Sequence, residues 1–180
     1  MALIIILALA ACRSKQPEII IEKVEEPKPE PTTITVDFYA SPEMNPNRHG
    51  RASPLVVRFY ILNSVTEFNH AEFFALYDED RELLSKDMIA REELRLSPGE
   101  DETFSQVIKP EHVPGRTLYL GVLAAYRQLD QSRWRAWTSV PAEATTVVTV
   151  HLERSAISLQ QQQIGKKPLP SPDNSKPKDR

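Results

Sequence analysis

The side chains that most often carry chemistry are few in this chain of 180 residues, and they are spread along it. Its four histidines, His49, His70, His112 and His151, show no metal-ligand spacing such as His-x-x-x-His. His49 falls among turn formers, His70 on a helical periodicity, His112 before a turn and His151 near a strand end. Each reads as a surface or structurally satisfied imidazole. The acidic pairs Glu25-Glu26 and Glu92-Glu93 are adjacent residues. Strand neighbours point to opposite faces, so the second pair does not converge. Five glycines leave little room for a phosphate-cradling loop, and no Gly-x-Ser-x-Gly elbow occurs. The expectation is no catalysis, no metal, no cofactor and no small-molecule substrate.

One residue is chemically distinctive. Cys12 is the lone cysteine, so it cannot form an internal disulfide, and a free exported thiol would be a reactive liability. Residues 2–11 before it are entirely apolar and uncharged. A bilayer-spanning helix needs about 20 such residues, so this run has the size of a signal-peptide core instead. Leu9-Ala10-Ala11-Cys12 resembles a bacterial lipobox, in which the chain is cut before the cysteine and the thiol takes the diacylglycerol. Cys12 is therefore the expected lipidation site, behind a signal peptide at 1–11. The competing reading is a buried strand ending in an ordinary Cys. Against it, the charged, Pro-rich stretch that follows at once cannot continue a core. No Lys or Arg precedes the apolar run, a departure from the usual signal-peptide pattern. Arg13, not Asp, follows the cysteine, which points to the outer membrane, on its periplasmic face. Each buried acyl methylene contributes about 0.8 kcal/mol, so an anchor of up to three chains is long-lived.

Two charged segments flank what remains. Residues 12–33 hold Pro17, Pro27, Pro29 and Pro31 among charges of both signs, as an extended linker does. Within it, Ile19-Ile20-Ile21 is either a chance apolar cluster or a strand that pairs with a partner. Residues 155–180 contain the Gln160–Gln163 tract and then Lys, Pro, Ser and Asp, and read as a disordered tail. Between them, residues 34–154 are of ordinary domain size. They carry 13 basic against 18 acidic side chains, a net of −5. Such a domain does not suit nucleic acid, which wants a basic face.

The apolar pattern of this domain mostly has period two. Ile34, Val36 and Phe38 alternate with polar residues, and so do Phe104, Gln106 and Ile108 with Thr103, Ser105 and Val107. Leu55, Val57, Phe59 and Ile61 alternate with Val56, Arg58 and Tyr60. Leu118–Tyr126 is nearly all apolar, as a strand covered on both faces would be. Thr145–Leu152 is rich in β-branched residues and reads as the last strand. Pro98-Gly99 looks like a hairpin turn between Glu93–Leu96 and Glu102–Ile108, and Pro114-Gly115 marks another turn. Glu67–Asp80 breaks the rule, with Phe68, Ala71, Phe74 and Ala75 at helical spacing and Asn69 as a candidate cap. A second short helix fits Leu83–Arg91. Short strands with a helical insertion predict a β-sandwich decorated by helices.

Four stretches carry a resemblance. Ala40-Ser41-Pro42 leads through Asn45-Pro46, Gly50 and Ser53-Pro54 into Leu55–Leu62. Phe68 is followed by Ala71-Glu72-Phe73-Phe74-Ala75-Leu76-Tyr77, and later comes Leu96-Ser97-Pro98-Gly99-Glu100. Last is Gly121–Arg127, then Asp130 and Trp134-Arg135. In this order, after a lipobox, the domain resembles the outer-membrane lipoprotein of the type VI secretion system, the TssJ (SciN) family. The resemblance implies a transthyretin-like β-sandwich with helical additions. It also implies binding to the periplasmic C-terminal region of the TssM inner-membrane subunit and, indirectly, assembly with TssL. The loop joining the first two strands is a contact region in that family; here it is Ser41–Ser53.

That loop is 13 residues long, where a hairpin usually needs 2–5, and long loops are often functional. The bland reading is a solvated connector rich in turn formers. The sharper one makes Met44, Asn45, Asn47, Arg48, His49 and Arg51 the partner-binding residues, with Met44 the apolar contact and the arginines the polar ones. The Phe68–Tyr77 helix reads as core packing and Trp134 as a core anchor. Asp130 reads as a turn cap or a partner of Arg127 or Arg135. Competing functions are another periplasmic assembly lipoprotein of pilotin type, or a lipid-anchored carrier or hydrolase.

Overall fold

The computed structural model describes residues 29–113 and 117–165. The signal peptide, Cys12, most of the linker, the Pro114-Gly115 turn and the basic end after Gly165 lie outside them.

Eight strands form two four-stranded sheets, mainly β with short helices. β1 (Thr32–Ala40), β4 (Asp101–Ile108), β7 (Thr145–Leu152) and β8 (Ile157–Ile164) make one sheet, in the order β4-β1-β7-β8. β2 (Leu55–Leu62), β3 (Met88–Leu96), β5 (Thr117–Ala124) and β6 (Arg135–Pro141) make the other, in the order β3-β2-β5-β6. The pair β1–β7 is parallel and the other pairings are antiparallel. The inward residues predicted by alternation meet between the sheets. Ile34, Val36 and Phe38 of β1 pack with Leu55, Val57, Phe59 and Ile61 of β2, and with Val148 and Val150 of β7. Phe104 completes an aromatic trio with Phe38 and Phe59, at centroid distances of 5.4–6.1 Å.

A second, smaller core lies on the outer face of the β2 sheet, under α1 (Thr66–His70) and α2 (Phe73–Leu83). Tyr60, Leu62 and Leu123 pack there against Phe68, Phe73, Leu76 and Leu84. Trp134 is half-buried and packs against both cores. It meets Phe73 edge-on at 5.2 Å and carries the Arg135 guanidinium over its ring at 4.6 Å.

Several expectations are corrected. The single helix over Glu67–Asp80 is two helices, because Ala71 and Glu72 are extended. Arg135 stabilises this break by donating to the carbonyls of Phe68 in α1 (3.1 Å) and of Ala71 just after it (2.7 Å), which the helix leaves unpaired. The break shifts the phase, so Phe73 and Leu76 face inward and Phe74 stands 67% exposed. Asn69 is not a cap; it lies inside α1 and accepts from Trp137 Nε1 at 3.2 Å. No helix covers Leu83–Arg91, since α2 ends at Leu83 and β3 starts at Met88.

Pro98-Gly99 is not a hairpin turn, because β3 and β4 belong to different sheets. Gly99, at φ 79°, instead carries the chain from one layer to the other, donating to Ala40 O at 2.9 Å. The tail predicted from residue 155 is strand over Ile157–Ile164. Backbone pairing to β7 needs no apolar side chains, and Ile157 and Leu159 point into the core while the glutamines line the edge.

Candidate partner-binding site

The Ser41–Ser53 loop crosses from one sheet to the other, so part of its length simply bridges the layers. Its two halves differ in kind. The first is internal. Met44 is completely buried in the main core, and its backbone is held by Ser41 O at 3.0 Å and Ser53 N at 3.2 Å. Asn45 is also buried, at φ 50°, a conformation asparagine tolerates well. Its Nδ2 donates to Pro54 O at 2.8 Å, its Oδ1 accepts from Arg127 N at 2.9 Å, and its N–H reaches Arg154 O at 3.0 Å. One asparagine thus ties the loop to two distant segments.

The second half is the exposed tip. Asn47 organises it: Oδ1 accepts from His49 N at 2.9 Å and Arg51 N at 3.1 Å, while its own N–H donates to Arg51 O at 2.8 Å. Gly50, at φ 76°, closes the turn. Arg48, His49 and Arg51 are exposed, and the hydrogen-bonded turn beneath holds their backbone in place.

Beside the tip is a polar cleft of about 380 Å³, lined by the loop, by Tyr126, Gln128 and Gln131, and by Arg154 and Ser155. Tyr126 is its floor. Its hydroxyl donates to Ala156 O (2.7 Å) and Glu153 O (3.1 Å), and burial, aided by the Glu153 charge, pushes its pKa well above the ordinary phenol value. Arg154 lies 3.9 Å from Glu43 on the rim. A domain of net charge −5 therefore presents Arg48, Arg51 and Arg154 at one end.

Of the predicted contacts, Arg48, His49 and Arg51 are placed together on the surface. Asn45 and Asn47 shape the loop from within. Met44 is corrected: fully buried, it has no surface to offer a partner. Tyr126, Gln128, Gln131, Arg154 and Ser155 were not anticipated, since they come from segments far from the loop in sequence. Asp130 is exposed, and Arg135 bonds the α1 carbonyls instead of it.

Elsewhere, the densest cluster of ionisable groups lies beneath α2, buried at Asp80, Tyr60 and Arg58 and open to solvent at Glu93. Asp80 Oδ2 accepts from Arg91 Nε (2.7 Å), Tyr60 OH (2.8 Å) and Arg58 Nη1 (3.3 Å). Arg58 Nε and Arg91 Nη2 both reach Glu93 Oε2, at 2.6 and 3.0 Å. Burial alone would raise the Asp80 carboxyl. The hydrogen bonds from Arg91 and Tyr60 and the charges of both arginines outweigh it, holding Asp80 below the usual carboxylate range. Two guanidiniums thus face two carboxylates and the charges balance, so the cluster is a clamp for the helix. Among the described residues no group of three or more His, Cys, Asp or Glu is placed to hold a metal, and no helix is long and apolar enough to cross a membrane.

Comparison with known proteins agrees with this architecture. The family described as type VI secretion lipoprotein (VasD, EvfM, TssJ) matches residues 32–155. The T6SS lipoprotein TssJ1 from Pseudomonas aeruginosa is 33% identical, covers 75% of this chain and 99% of its own, and superposes with a TM-score of 0.67. A chain of a structure described as the type VI membrane complex is 24% identical over 71% of this chain and 97% of its own, at a TM-score of 0.60, which shows the shared fold. A chain in a structure described as the T6SS protein TssM C-terminal domain from EAEC is 25% identical, covers 71% of this chain and 99% of its own, and has a TM-score of 0.56. A comparison with curated protein sequences gives no match. By its motifs, its two-sheet fold and these likenesses, the chain belongs to the type VI secretion lipoprotein family of TssJ.

Proposed function

We propose that this chain is the lipid-anchored outer-membrane subunit that holds a TssM-like inner-membrane protein by its periplasmic C-terminal region. The tip Asn47–Arg51, with the cleft beside it, is the contact, and a TssL-like subunit is engaged only indirectly. The observation that carries this reading is the rigid, exposed tip: an asparagine-organised turn presents Arg48, His49 and Arg51 next to a polar cleft on a TssJ-type sandwich. Matches to chains in structures described as a type VI membrane complex and a TssM C-terminal domain support the choice of partner. The role is adhesive: the site supplies shape and positive charge.

The anchor follows from the family's lipoprotein character and the Leu9-Ala10-Ala11-Cys12 motif. Diacylglycerol on Cys12 and the segment between it and β1 place the domain in the periplasm. Replacing Cys12 with Ser should abolish palmitate labelling and release the protein from the membrane fraction. Persistent label in that variant would refute the assignment.

Calorimetric titration with the periplasmic C-terminal region of the TssM-like subunit tests the contact. Replacing residues 48–50 by a single Gly should leave the melting temperature within a few degrees and weaken binding at least tenfold. Unchanged binding by a folded variant places the contact elsewhere on the sandwich.

A further inference from the structure

Three segments meet at the cleft beside the loop tip: residues 41–53, 126–133 and 153–156. They carry five exposed arginines, Arg48, Arg51, Arg127, Arg133 and Arg154, and no lysine. Their carboxylates are Glu43, Asp130 and Glu153. The three segments together stand at +2, and the rest of residues 34–154 at −7. A positive end on an acidic domain steers an acidic surface toward itself and turns a basic one away. The residue type narrows the choice further. A guanidinium is a planar fork that grips a carboxylate with two parallel hydrogen bonds, whereas an ammonium acts as a point charge.

Arg154 is the best prepared of the five. Its carbonyl accepts from Asn45 N at 3.0 Å. On either side of it, the carbonyls of Glu153 and Ala156 accept from the Tyr126 hydroxyl at 3.1 and 2.7 Å, and that of Ser155 from Arg133 N at 2.9 Å. Four consecutive carbonyls are tied down, so the backbone under Arg154 is set before a partner arrives, which lowers the cost of ordering it.

The side chain is held far less firmly. Arg154 Nη1 lies 3.9 Å from Glu43 Oε2, and the two side chains are 58% and 76% exposed. An exposed pair at that distance contributes little and is easily exchanged. Glu43 therefore already shows which chemistry this guanidinium accepts: a carboxylate, seated loosely on the rim of the cleft. It also repels any second carboxylate that approaches the same arginine.

Taking the tip and cleft as the partner contact, we infer that an acidic segment of the partner places a carboxylate on Arg154, displacing Glu43, which competes for the same guanidinium in the free protein.

The test is calorimetric titration of the full chain in detergent micelles with the periplasmic C-terminal region of the TssM-like subunit, at low and high salt. At low salt Glu43→Gln should tighten binding about threefold, by freeing Arg154 and removing a repelling charge, and Arg154→Gln should weaken it about fivefold. In an Arg154→Gln background, Glu43→Gln should tighten binding far less, and high salt should shrink all these differences. Melting temperatures should stay at the wild-type value, since both side chains are exposed. Hexaglutamate should compete with the fragment for the wild-type chain, and hexaglutamine should not. The variant with residues 48–50 replaced by a single Gly reports separately on the contact itself. If that variant loses binding while Glu43→Gln binds no tighter than wild type, or Arg154→Gln no more weakly, the contact stands and the roles of Arg154 and Glu43 fall. Equal competition by the two peptides would likewise overturn the acidic segment. A fragment that does not bind the wild-type chain overturns both the contact and this inference.

Discussion

Met44 and Arg48 are four residues apart and have opposite tasks. Met44 fills the main core from within the loop, whereas Arg48 stands in water on its tip. Met44→Ala should therefore destabilise the domain by about 2–5 kcal/mol, the usual cost of emptying a buried site of that size. Arg48→Ala should leave the melting temperature unchanged. It should instead lower affinity for the TssM-like fragment a few-fold, with a weaker salt dependence, as loss of a rim charge does. Thermal melts and titrations at two salt concentrations separate the two effects. Asp80 gives a second residue-scale prediction. Its carboxyl is depressed in the folded state, so its stabilising contribution is complete above the ordinary carboxylate pKa of about 3.9 and is lost as pH falls through the folded value. Asp80→Asn should cost about 3–5 kcal/mol at neutral pH, because Arg58 and Arg91 keep two charges against the single remaining carboxylate of Glu93. Its melting temperature should also fall less steeply than wild type on acidification below pH 4.

Elements add what single residues do not reveal. α1 lies against β5 so closely that a Cβ on Gly121 would sit 3.0 Å from Phe68 Cε1 and Cζ. Phe68 is fully buried and cannot swing away freely. Gly121→Ala should cost about 1–3 kcal/mol, typical of overpacking. In a double-mutant cycle with Phe68→Leu the two effects should be clearly non-additive, since the smaller side chain relieves the clash. Additive melts would mean that α1 moves as a body instead. β8 makes a related point. Truncation after Gly165 should leave stability unchanged, whereas truncation after Ser155 removes a strand hydrogen-bonded along all of β7 and should lower the melting temperature by ten degrees or more. Circular dichroism on the two truncated proteins distinguishes them.

The whole molecule divides its work by direction. One end carries the asparagine-braced tip and the cleft, one broad face lies under the helices, and the opposite broad face carries no Lys or Arg at its outward strand positions. Seven of the eighteen acidic residues of 34–154 fall on or next to the helices, Glu67, Glu72, Asp78, Glu79, Asp80, Glu82 and Asp87. At the loop end Arg48 and Arg51 are exposed, and Arg154 lies 3.9 Å from Glu43. The densest ionisable cluster of the described residues joins α2 to β2 and β3.

What was legible in the sequence follows from short-range physics. Alternating side chains marked β1, β2 and β4, because one face of each strand has to be apolar to meet the opposite sheet, and β-branched residues marked β7. The apolar Leu118–Tyr126 run announced a strand covered on both sides, and turn formers marked the loop that holds Arg48, His49 and Arg51. Long-range pairing decided the rest. Pro98-Gly99 encodes a reversal but not which sheet receives the next strand. Gln160–Gln163 encodes no core, yet β7 offers a free edge that needs only backbone groups. The alternation set Arg58 and Tyr60 opposite the apolar residues of β2 but did not show that Asp80, 22 and 20 residues on, pairs with them. Met44 looked like an exposed loop residue because burial is a property of the space around a side chain. That space is made by the core between the two sheets, and no neighbour in sequence announces it.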